Sequence, residues 1–100
     1  MDRIFRALAD STRRDVVRRT LVDGSSVSAL AQAYDMSFAA VQKHVAVLEE
    51  AGLVTKHPHG RERIVQGNPE AIMQAQRLLD CYEEIWRERV ERLDAFLTDN

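Results

Sequence analysis

The feature that most constrains this chain is a long, uninterrupted helical pattern near its C-terminus. Asn68, Pro69 and Glu70 form a strong helix start, because they supply a capping side chain, a proline at the first helical position and an acid in the first turn. No glycine or proline interrupts the pattern from there to Leu97. About 28 residues at ~1.5 Å each span roughly 42 Å, which exceeds the width of a domain of about 100 residues. The apolar face of this helix must therefore extend beyond the core of its own chain.

That apolar face predicts that the chain pairs with a second copy of itself. Its members recur at helical spacing and are Ile72, Ala75, Leu79, Tyr82, Trp86, Val90, Leu93 and Leu97. Because a chain this short buries only a modest core, pairing would also stabilise it. We expect residues 1–100 to form one domain whose dimerisation helix spans about 69–97, with a short first helix alongside. The predicted homodimer interface comprises Ile4, Phe5, Ile72, Leu79, Tyr82, Trp86, Val90 and Leu93.

A helix with both ends marked by the sequence lies in the middle of the chain. Ser37 is a good N-cap, Gly52 a good residue just after a helix, and an apolar stripe (Val41, Val45 and Leu48) runs between them. The opposite face carries small or hydrogen-bonding residues in its first two turns, namely Ala39, Ala40, Gln42 and Lys43. Such a face suits insertion into a DNA major groove, and the alternative is a solvated helix with few charges.

The residues before this helix predict a helix-turn-helix unit. Asp10 is an N-cap for a second helix, Ser11 to Val22, in which we expect Val16, Val17 and Leu21 to be buried. A turn at residues 23–26 follows, and Ser28 can cap a third helix that runs from Ala29 to Tyr34. Asp35 and Met36 leave room only for a tight turn into the Ser37 helix. The second helix also carries Arg13, Arg14, Arg18 and Arg19, which are either solvated or in contact with DNA phosphates.

The residues after Gly52 predict a β-hairpin. Two strand-like runs, at 53–56 and 61–65, are bridged by His57, Pro58, His59 and Gly60. The hairpin carries Lys56, Arg61 and Arg63 directly after the proposed recognition helix, which is the arrangement of a winged helix-turn-helix. The alternative is a hairpin that only closes the core. The predicted fold is therefore mainly α with a small β-hairpin wing, a winged helix-turn-helix with five helices that dimerises through its terminal helices.

The net charge of the whole chain does not indicate a nucleic-acid partner, but the charge of its first two-thirds does. The net charge is −2, but residues 1–67 hold ten Lys/Arg against eight Asp/Glu, and residues 68–100 hold four against eight. We expect double-stranded DNA to meet the first two-thirds of the chain. The sequence has no apolar run of membrane-spanning length and does not begin like a signal peptide, and its one cysteine fits a reducing compartment, so we expect a cytoplasmic protein.

The remaining reactive side chains do not form a catalytic or metal-binding pattern. The histidines are His44 in the central helix and the pair His57 and His59 in the hairpin, with no third ligand nearby in sequence. Cys81 neighbours Asp80 and borders apolar residues at helical spacing, so we expect a packed thiol and not a redox sensor. No nucleophile, base and acid can be assembled from the sequence. We expect no enzyme activity and no cofactor.

The chain resembles the ArsR-type winged-helix repressors over nearly its full length. The matching segments are residues 7–14, 28–31, 41–54 and 60–62, with Ser11 where the family usually has proline and Gln42 where it often has serine. The resemblance implies a homodimer that binds a palindromic operator and represses transcription. It also implies that His44 helps to seat the recognition helix against the DNA backbone. The predicted DNA-binding residues are Ser37, Phe38, Ala39, Ala40, Gln42, Lys43, His44, Lys56, Arg61 and Arg63.

One departure from the family concerns metal sensing. Metal-sensing members carry a Cys-x-Cys pair near the third helix, or Asp and His ligands along the last one, and this sequence has neither. We therefore place it in the metal-independent branch, whose members are often partnered with small ligand-binding proteins, so an unknown effector or partner is compatible with the sequence. The alternative function is protein binding, in which the winged helix would be a protein-protein interaction module. DNA binding would be strongly salt-dependent, and a protein interaction far less so.

Overall fold

The computed structural model describes residues 1–98, which form five helices and three short strands. In chain order they are α1 (Asp2–Ala7), α2 (Ser11–Val22), β1 (Ser25–Ser26), α3 (Val27–Tyr34), α4 (Phe38–Glu50), β2 (Val54–His59), β3 (Glu62–Gly67) and α5 (Pro69–Thr98). The prediction of a mainly helical fold with five helices and a small β-wing is confirmed. The predicted domain also included residues 99–100, which lie outside the described residues.

The core lies where α2, α3 and α4 meet the sheet. Its most deeply buried side chains are Val16, Leu30, Val41, Val45, Leu48, Leu53, Val54 and Val65. Leu21 was expected in this core, but it is exposed, and Thr20 is buried in its place. Thr20 follows Val16 by four residues and so falls on the same helical face. Its hydroxyl donates to the Val16 carbonyl oxygen at 2.7 Å, which satisfies the buried polar group.

The tight turn between α3 and α4 holds the helix-turn-helix unit together. Asp35 adopts φ +53°, a left-handed conformation that aspartate tolerates better than most residues. The Asp35 N–H donates to the Gln32 carbonyl at 3.3 Å, and the Met36 N–H donates to the Ala31 carbonyl at 3.1 Å. These two bonds end α3 in a Schellman motif. As a result α4 begins only three residues after Asp35 and packs across α3.

The sheet is larger than the predicted hairpin because β1 joins it. The strand order is β1-β3-β2 and all pairs are antiparallel, with Ser25 opposite Val65. Residues 25–26 were expected to be a turn, and Ser28 to cap α3. Instead the Ser26 side chain accepts a hydrogen bond from the Ala29 N–H at 3.1 Å, so α3 begins at Val27. The pairing of β1 with β3 joins residues about 40 positions apart, which a local pattern cannot show.

The wing is also longer than predicted. His57, Pro58 and His59 were expected to bridge the strands, but all three belong to β2, with His59 paired to Glu62. Pro58 is tolerated because β2 is an edge strand, where its missing N–H breaks no ladder. Gly60 has φ +64°, whereas Arg61, the second residue of the turn, does not have a positive φ. A positive φ at only the first of the two turn residues is the pattern of a type II′ turn. Arg61 therefore stands at the tip of the wing.

Helix α5 begins against the core and then leaves it. Asn68 Nδ2 donates to the Gly52 carbonyl at 2.8 Å, and Ala71 and Ala75 are buried. From Leu79 to Thr98 every residue is exposed, and the molecule measures 70 × 23 × 22 Å. Cys81 lies on this exposed part, so the expectation of a packed thiol is wrong for the single chain. Within residues 1–98, no helix has both the length and the continuous apolar character of a membrane span.

Candidate nucleic-acid interface

The start of α4 is fixed by Ser37 and Met36, the two residues that precede it. The Ser37 side chain accepts a hydrogen bond from the Ala40 N–H at 3.1 Å, as the sequence predicted. Met36 packs against the core that contains Val41, and these two positions are those of a hydrophobic staple. The first turn therefore needs nothing from Phe38 or Ala39, which are both exposed.

The end of α4 sets the direction of the chain into the wing. The Gly52 N–H donates to the Glu49 carbonyl at 3.0 Å and the Leu53 N–H to the Leu48 carbonyl at 2.9 Å, with Gly52 at φ +76°. This is a second Schellman motif, and the buried Leu53 anchors it. The predicted cap residues at both ends of the helix are thus confirmed.

The two faces of α4 divide as the sequence predicted. Val41, Val45 and Leu48 are buried, while the opposite side exposes Ala39, Gln42, Lys43 and Ala46. The acids Glu49 and Glu50 are confined to the last turn. The exposed N-terminal half is therefore small, neutral or basic, and it can approach a polyanion without repulsion.

His44 lies on a different side of α4 from the other predicted contact residues. Its Nδ1 atom is 3.9 Å from Asp10 Oδ2 and 3.5 Å from Arg13 Nη1, and only 22% of its side chain is exposed. It faces the N-terminus of α2 and not the open face. The pKa of Asp10 is lowered, chiefly because its carboxylate accepts a hydrogen bond from the Arg13 backbone N–H, with the charges of His44 and Arg13 adding to the effect. His44 therefore seats the recognition helix against its own chain.

Arg13 connects three helices at this point. Its Nε donates to the Ala7 carbonyl at 2.7 Å and its Nη2 to the Arg6 carbonyl at 3.2 Å, so it caps the end of α1 while touching His44 on α4. Arg14 adds one bond from its Nη1 to the Leu8 carbonyl at 2.8 Å. The sequence showed these arginines only as solvated or phosphate-binding candidates. A cap formed across a loop has no local signature, which is why it was missed.

The other arginine pair of α2 is held by Asp15. Arg18 and Arg19 both donate to its carboxylate, at 2.6 Å and 2.9 Å, and the Tyr34 hydroxyl donates to it at 2.6 Å. These donors, with Tyr34 first, hold the pKa of Asp15 far below its usual value. Partial burial and the bond to Asp15 raise the pKa of Tyr34 to about 12. This cluster fastens α3 to α2 and leaves Arg18 and Arg19 already paired.

An open cleft between α3, α4 and the wing is lined by five of the ten predicted DNA-binding residues. Its volume is about 440 Å³, and it is lined by Ser26, Val27, Ser28, Phe38, Gln42, Lys56, Arg61, Glu62 and Arg63. Lys56 is the most enclosed of the cations, with 16% of its side chain exposed and its Nζ 3.6 Å from Glu49 Oε1. Arg61 and Arg63 are exposed. The structure thus brings the first turns of α4 and the basic wing to one surface, which also includes the unpredicted residues 26–28.

The remaining histidines do not meet other metal-binding side chains. His57 Nε2 is 2.9 Å from Thr55 Oγ1 on the exposed side of β2. Across the part of the chain that the structure describes, no three His, Cys, Asp or Glu side chains come together as metal ligands.

Comparison with known proteins adds an independent line of support. A family model described as a helix-turn-helix domain matches residues 8–57. The HTH-type transcriptional regulator Rv2034 of Mycobacterium tuberculosis is 38% identical over 81 residues, which cover 81% of this chain and 76% of that protein. An uncharacterized HTH-type transcriptional regulator of Bacillus subtilis, YuzN, is 40% identical over 78 residues, which cover 71% of this chain and 85% of that protein.

Solved structures show the same architecture. A crystal structure of an ArsR family transcriptional regulator superposes with a TM-score of 0.79 at 35% identity, over 86% of this chain and 89% of that one. An ArsR-like transcriptional regulator from Rhodococcus sp. RHA1 gives a TM-score of 0.81 at 27% identity, over 92% and 87% of the two chains. The homodimeric winged helix-turn-helix DNA-binding domain of a Mycobacterium bovis protein has the same fold, with a TM-score of 0.68 at 19% identity over 83% and 78%.

Proposed function

This chain belongs to the ArsR family of helix-turn-helix transcriptional regulators, and from that membership we propose that it is a homodimeric repressor of a palindromic operator. That it is a DNA-binding regulator follows from the family and the fold. The dimer, the operator symmetry and the direction of regulation are our proposal. One observation carries it: the exposed half of α4 and the basic wing border a single cleft.

In the proposed complex α4 enters the major groove with its N-terminal half. Gln42 is exposed in the second turn, and a glutamine can bond adenine N6 and N7 together. Lys43 is exposed beside it and can reach either guanine or a phosphate. Ser37 is occupied as the N-cap, so we assign it a positioning role. His44 faces α2, and we leave it out of the contact set.

The wing supplies the second set of proposed DNA contacts. Arg61 stands at the tip and Arg63 faces the cleft. Both are exposed, and within residues 1–98 neither forms an ion pair with an acidic side chain. Lys56 forms an ion pair with Glu49, which fixes its position near Gln42 but partly offsets its positive charge toward DNA. We propose that the two arginines bind phosphates and contribute affinity without sequence preference.

The proposed dimer is built on α5. The face that packs on the core at Ile72 and Ala75 continues without a break into Leu79, Tyr82, Trp86, Val90 and Leu93, all exposed in the single chain. An apolar stripe this long is unusual on a monomer, and a two-fold copy of itself is its simplest cover. Phe5 lies exposed on α1 beside it, whereas Ile4 is buried in its own chain and has little surface left to offer.

Metal ions are not expected to control DNA binding by this protein. With one cysteine and three histidines, of which only His57 and His59 are close in sequence, the chain lacks the three or four ligands that bind zinc or arsenic tightly. We propose a non-enzymatic regulator in the cytoplasm whose operator affinity is independent of metals. Titration of a bound operator fragment with zinc, arsenite and cadmium checks this. Release that depends on Cys81 or the wing histidines would contradict it.

Binding-site selection from random duplexes tests base reading by α4. The wild type should recover a palindrome whose half-sites lie about one helical turn apart or a multiple of it. Gln42→Ala should relax the preference at one position in each half-site, by roughly 1–3 kcal/mol, with little change in the salt dependence of binding. Gln74→Ala, at an exposed glutamine on α5, is the matched control and should recover the wild-type motif. Identical motifs from wild type and Gln42→Ala would show that Gln42 reads no base.

A further inference from the structure

Phe38 is an aromatic residue that lies outside the hydrophobic core. It is the first residue of α4 and is 50% exposed, although the rest of the open face is small, polar or basic. The cap of the helix is Ser37, and the apolar contact across the helix start involves Met36 and the core around Val41. A ligand that covers the exposed half of the ring would gain binding free energy in proportion to the apolar area removed from water.

The neighbours of Phe38 identify the chemistry of that ligand. Phe38 and Gln42 are four residues apart and share one flank of α4, and both line the cleft with Arg61 and Arg63. Lys43 projects farther round the helix, toward the middle of the open face. A ring beside exposed arginines and a glutamine suits a polyanionic ligand that also presents apolar and hydrogen-bonding groups. Double-stranded DNA has that combination in its major groove.

The major groove presents one apolar group, the C5-methyl of thymine. This methyl projects near the wall of the groove, on the side of its own strand. A residue on the flank of a helix is better placed to meet it than a residue at the centre of the face. Resting on the proposed function, we propose that Phe38 packs against a thymine methyl and thereby selects thymine at one position in each half-site.

The contact would discriminate by the presence of a single methyl group. Cytosine has no methyl at C5 and carries a polar amino group next to it, and deoxyuridine differs from thymine only in lacking the methyl. Burial of one such group is worth on the order of fourfold in affinity, or ~0.8 kcal/mol. Phe38 therefore adds apolar selection to the hydrogen-bonded selection assigned to Gln42.

The test uses full-length protein and the operator recovered by selection. Each thymine of the half-site is replaced by deoxyuridine, one position at a time in both half-sites, and affinity is measured at fixed salt. The wild type should lose about fourfold per half-site at one position and little elsewhere. Phe38→Ala should bind the thymine and deoxyuridine duplexes equally. Phe38→Leu, which keeps an apolar side chain, should show an intermediate loss and covers the case in which Phe38→Ala does not fold.

Two further variants separate this contact from its competitors. Val22→Ala removes apolar surface from an exposed residue on α2 and should behave as wild type. Ala39→Ser changes a small apolar residue that is next to Phe38 and exposed in the first turn. The inference would be overturned if the loss of affinity on deoxyuridine substitution disappeared in Ala39→Ser but persisted in Phe38→Ala. It would also be overturned if the wild type bound every deoxyuridine duplex as tightly as the thymine duplex, or if the selected half-site contained no thymine. A wild type that selects no sequence at all would instead overturn the proposed function.

Discussion

At the scale of single residues, Arg13 shows how an interior contact can resemble a surface charge in the sequence. It lies in a run of basic residues at the start of α2, where a phosphate contact is a reasonable expectation. In the structure its guanidinium closes the end of α1 and touches His44 on the recognition helix. The sequence could predict that Asp10 caps α2, because capping is local. It could not predict which carbonyl groups a long side chain would reach.

We expect Arg13→Ala to destabilise the chain by roughly 2–3 kcal/mol, because it removes the charged donor from two carbonyls at the end of α1, and the bond to one of them, that of Ala7, is part-buried. Arg14→Ala removes the same charge but only one bond to the same helix end, so it should cost about 1 kcal/mol or less. Urea unfolding of the two variants measures both losses. Equal losses would show that the contacts of Arg13 have no special role.

The bond between Tyr34 and Asp15 predicts a pH window for stability. The pKa of Asp15 is lowered in the folded chain, so its contribution is complete above its unfolded value near 3.8 and is lost as the pH falls through the lowered value. The pKa of Tyr34 is raised to about 12, so its contribution is complete below 10.0 and is lost as the pH rises toward 12. Tyr34→Phe should lower the melting temperature by about 5 °C or less near pH 7. The difference from wild type should shrink below pH 4, and a difference that is constant from pH 2 to 7 would contradict this account.

At the scale of elements, the sequence predicts ends that are formed locally and misses those that are formed at a distance. The caps Ser37 and Gly52 and the tight turn at residues 35–36 are set by neighbouring residues, and all three are confirmed. Strand β1 depends on its pairing with β3, about 40 residues away, and it was missed. The candidate interface follows the same division. Its helix could be predicted residue by residue, but the cleft that joins it to the wing could not.

The wing gives a prediction at this scale. Arg61→Ala and Arg63→Ala should each weaken specific and non-specific binding alike. Each should lower the slope of log affinity against log salt by about one unit, since one phosphate contact is lost. Arg77→Ala, at an exposed arginine of α5 on the face away from the apolar stripe, is the charge-matched control and should leave the slope unchanged. Loss of selectivity at one base pair in Arg61→Ala, with non-specific binding intact, would instead make the wing a base reader.

At the scale of the whole molecule, the long last helix dominates the shape. Because α5 extends well past its contact with the core, the molecule is 70 Å long but only 23 Å wide. The extended part carries the exposed apolar stripe. The sequence could predict this mismatch, because the length of an uninterrupted helical pattern and the size of a small domain are both known from residue counts. It could not predict how two copies would cross. The partner on this face stays a prediction.

Trp86 is the residue through which the predicted dimer can be weakened. Its ring is 58% exposed in the single chain and lies at the middle of the stripe. If a second copy buries it, Trp86→Ala should cost about 3–5 kcal/mol of dimer stability. Glu84→Ala, on the opposite face of α5, should change the dimer little. Sedimentation equilibrium over a range of protein concentrations measures both, and equal dissociation constants for wild type and Trp86→Ala would exclude this interface.

The most direct test of the account is the number of chains bound to one operator. Sedimentation of wild-type protein with a duplex that carries the selected palindrome gives the mass of the complex. The account predicts two chains per duplex, bound as a preformed dimer, and markedly weaker binding to a duplex that carries one half-site. A stable, folded monomer at micromolar concentration that binds one chain per duplex, with equal affinity for whole and half sites, would contradict it.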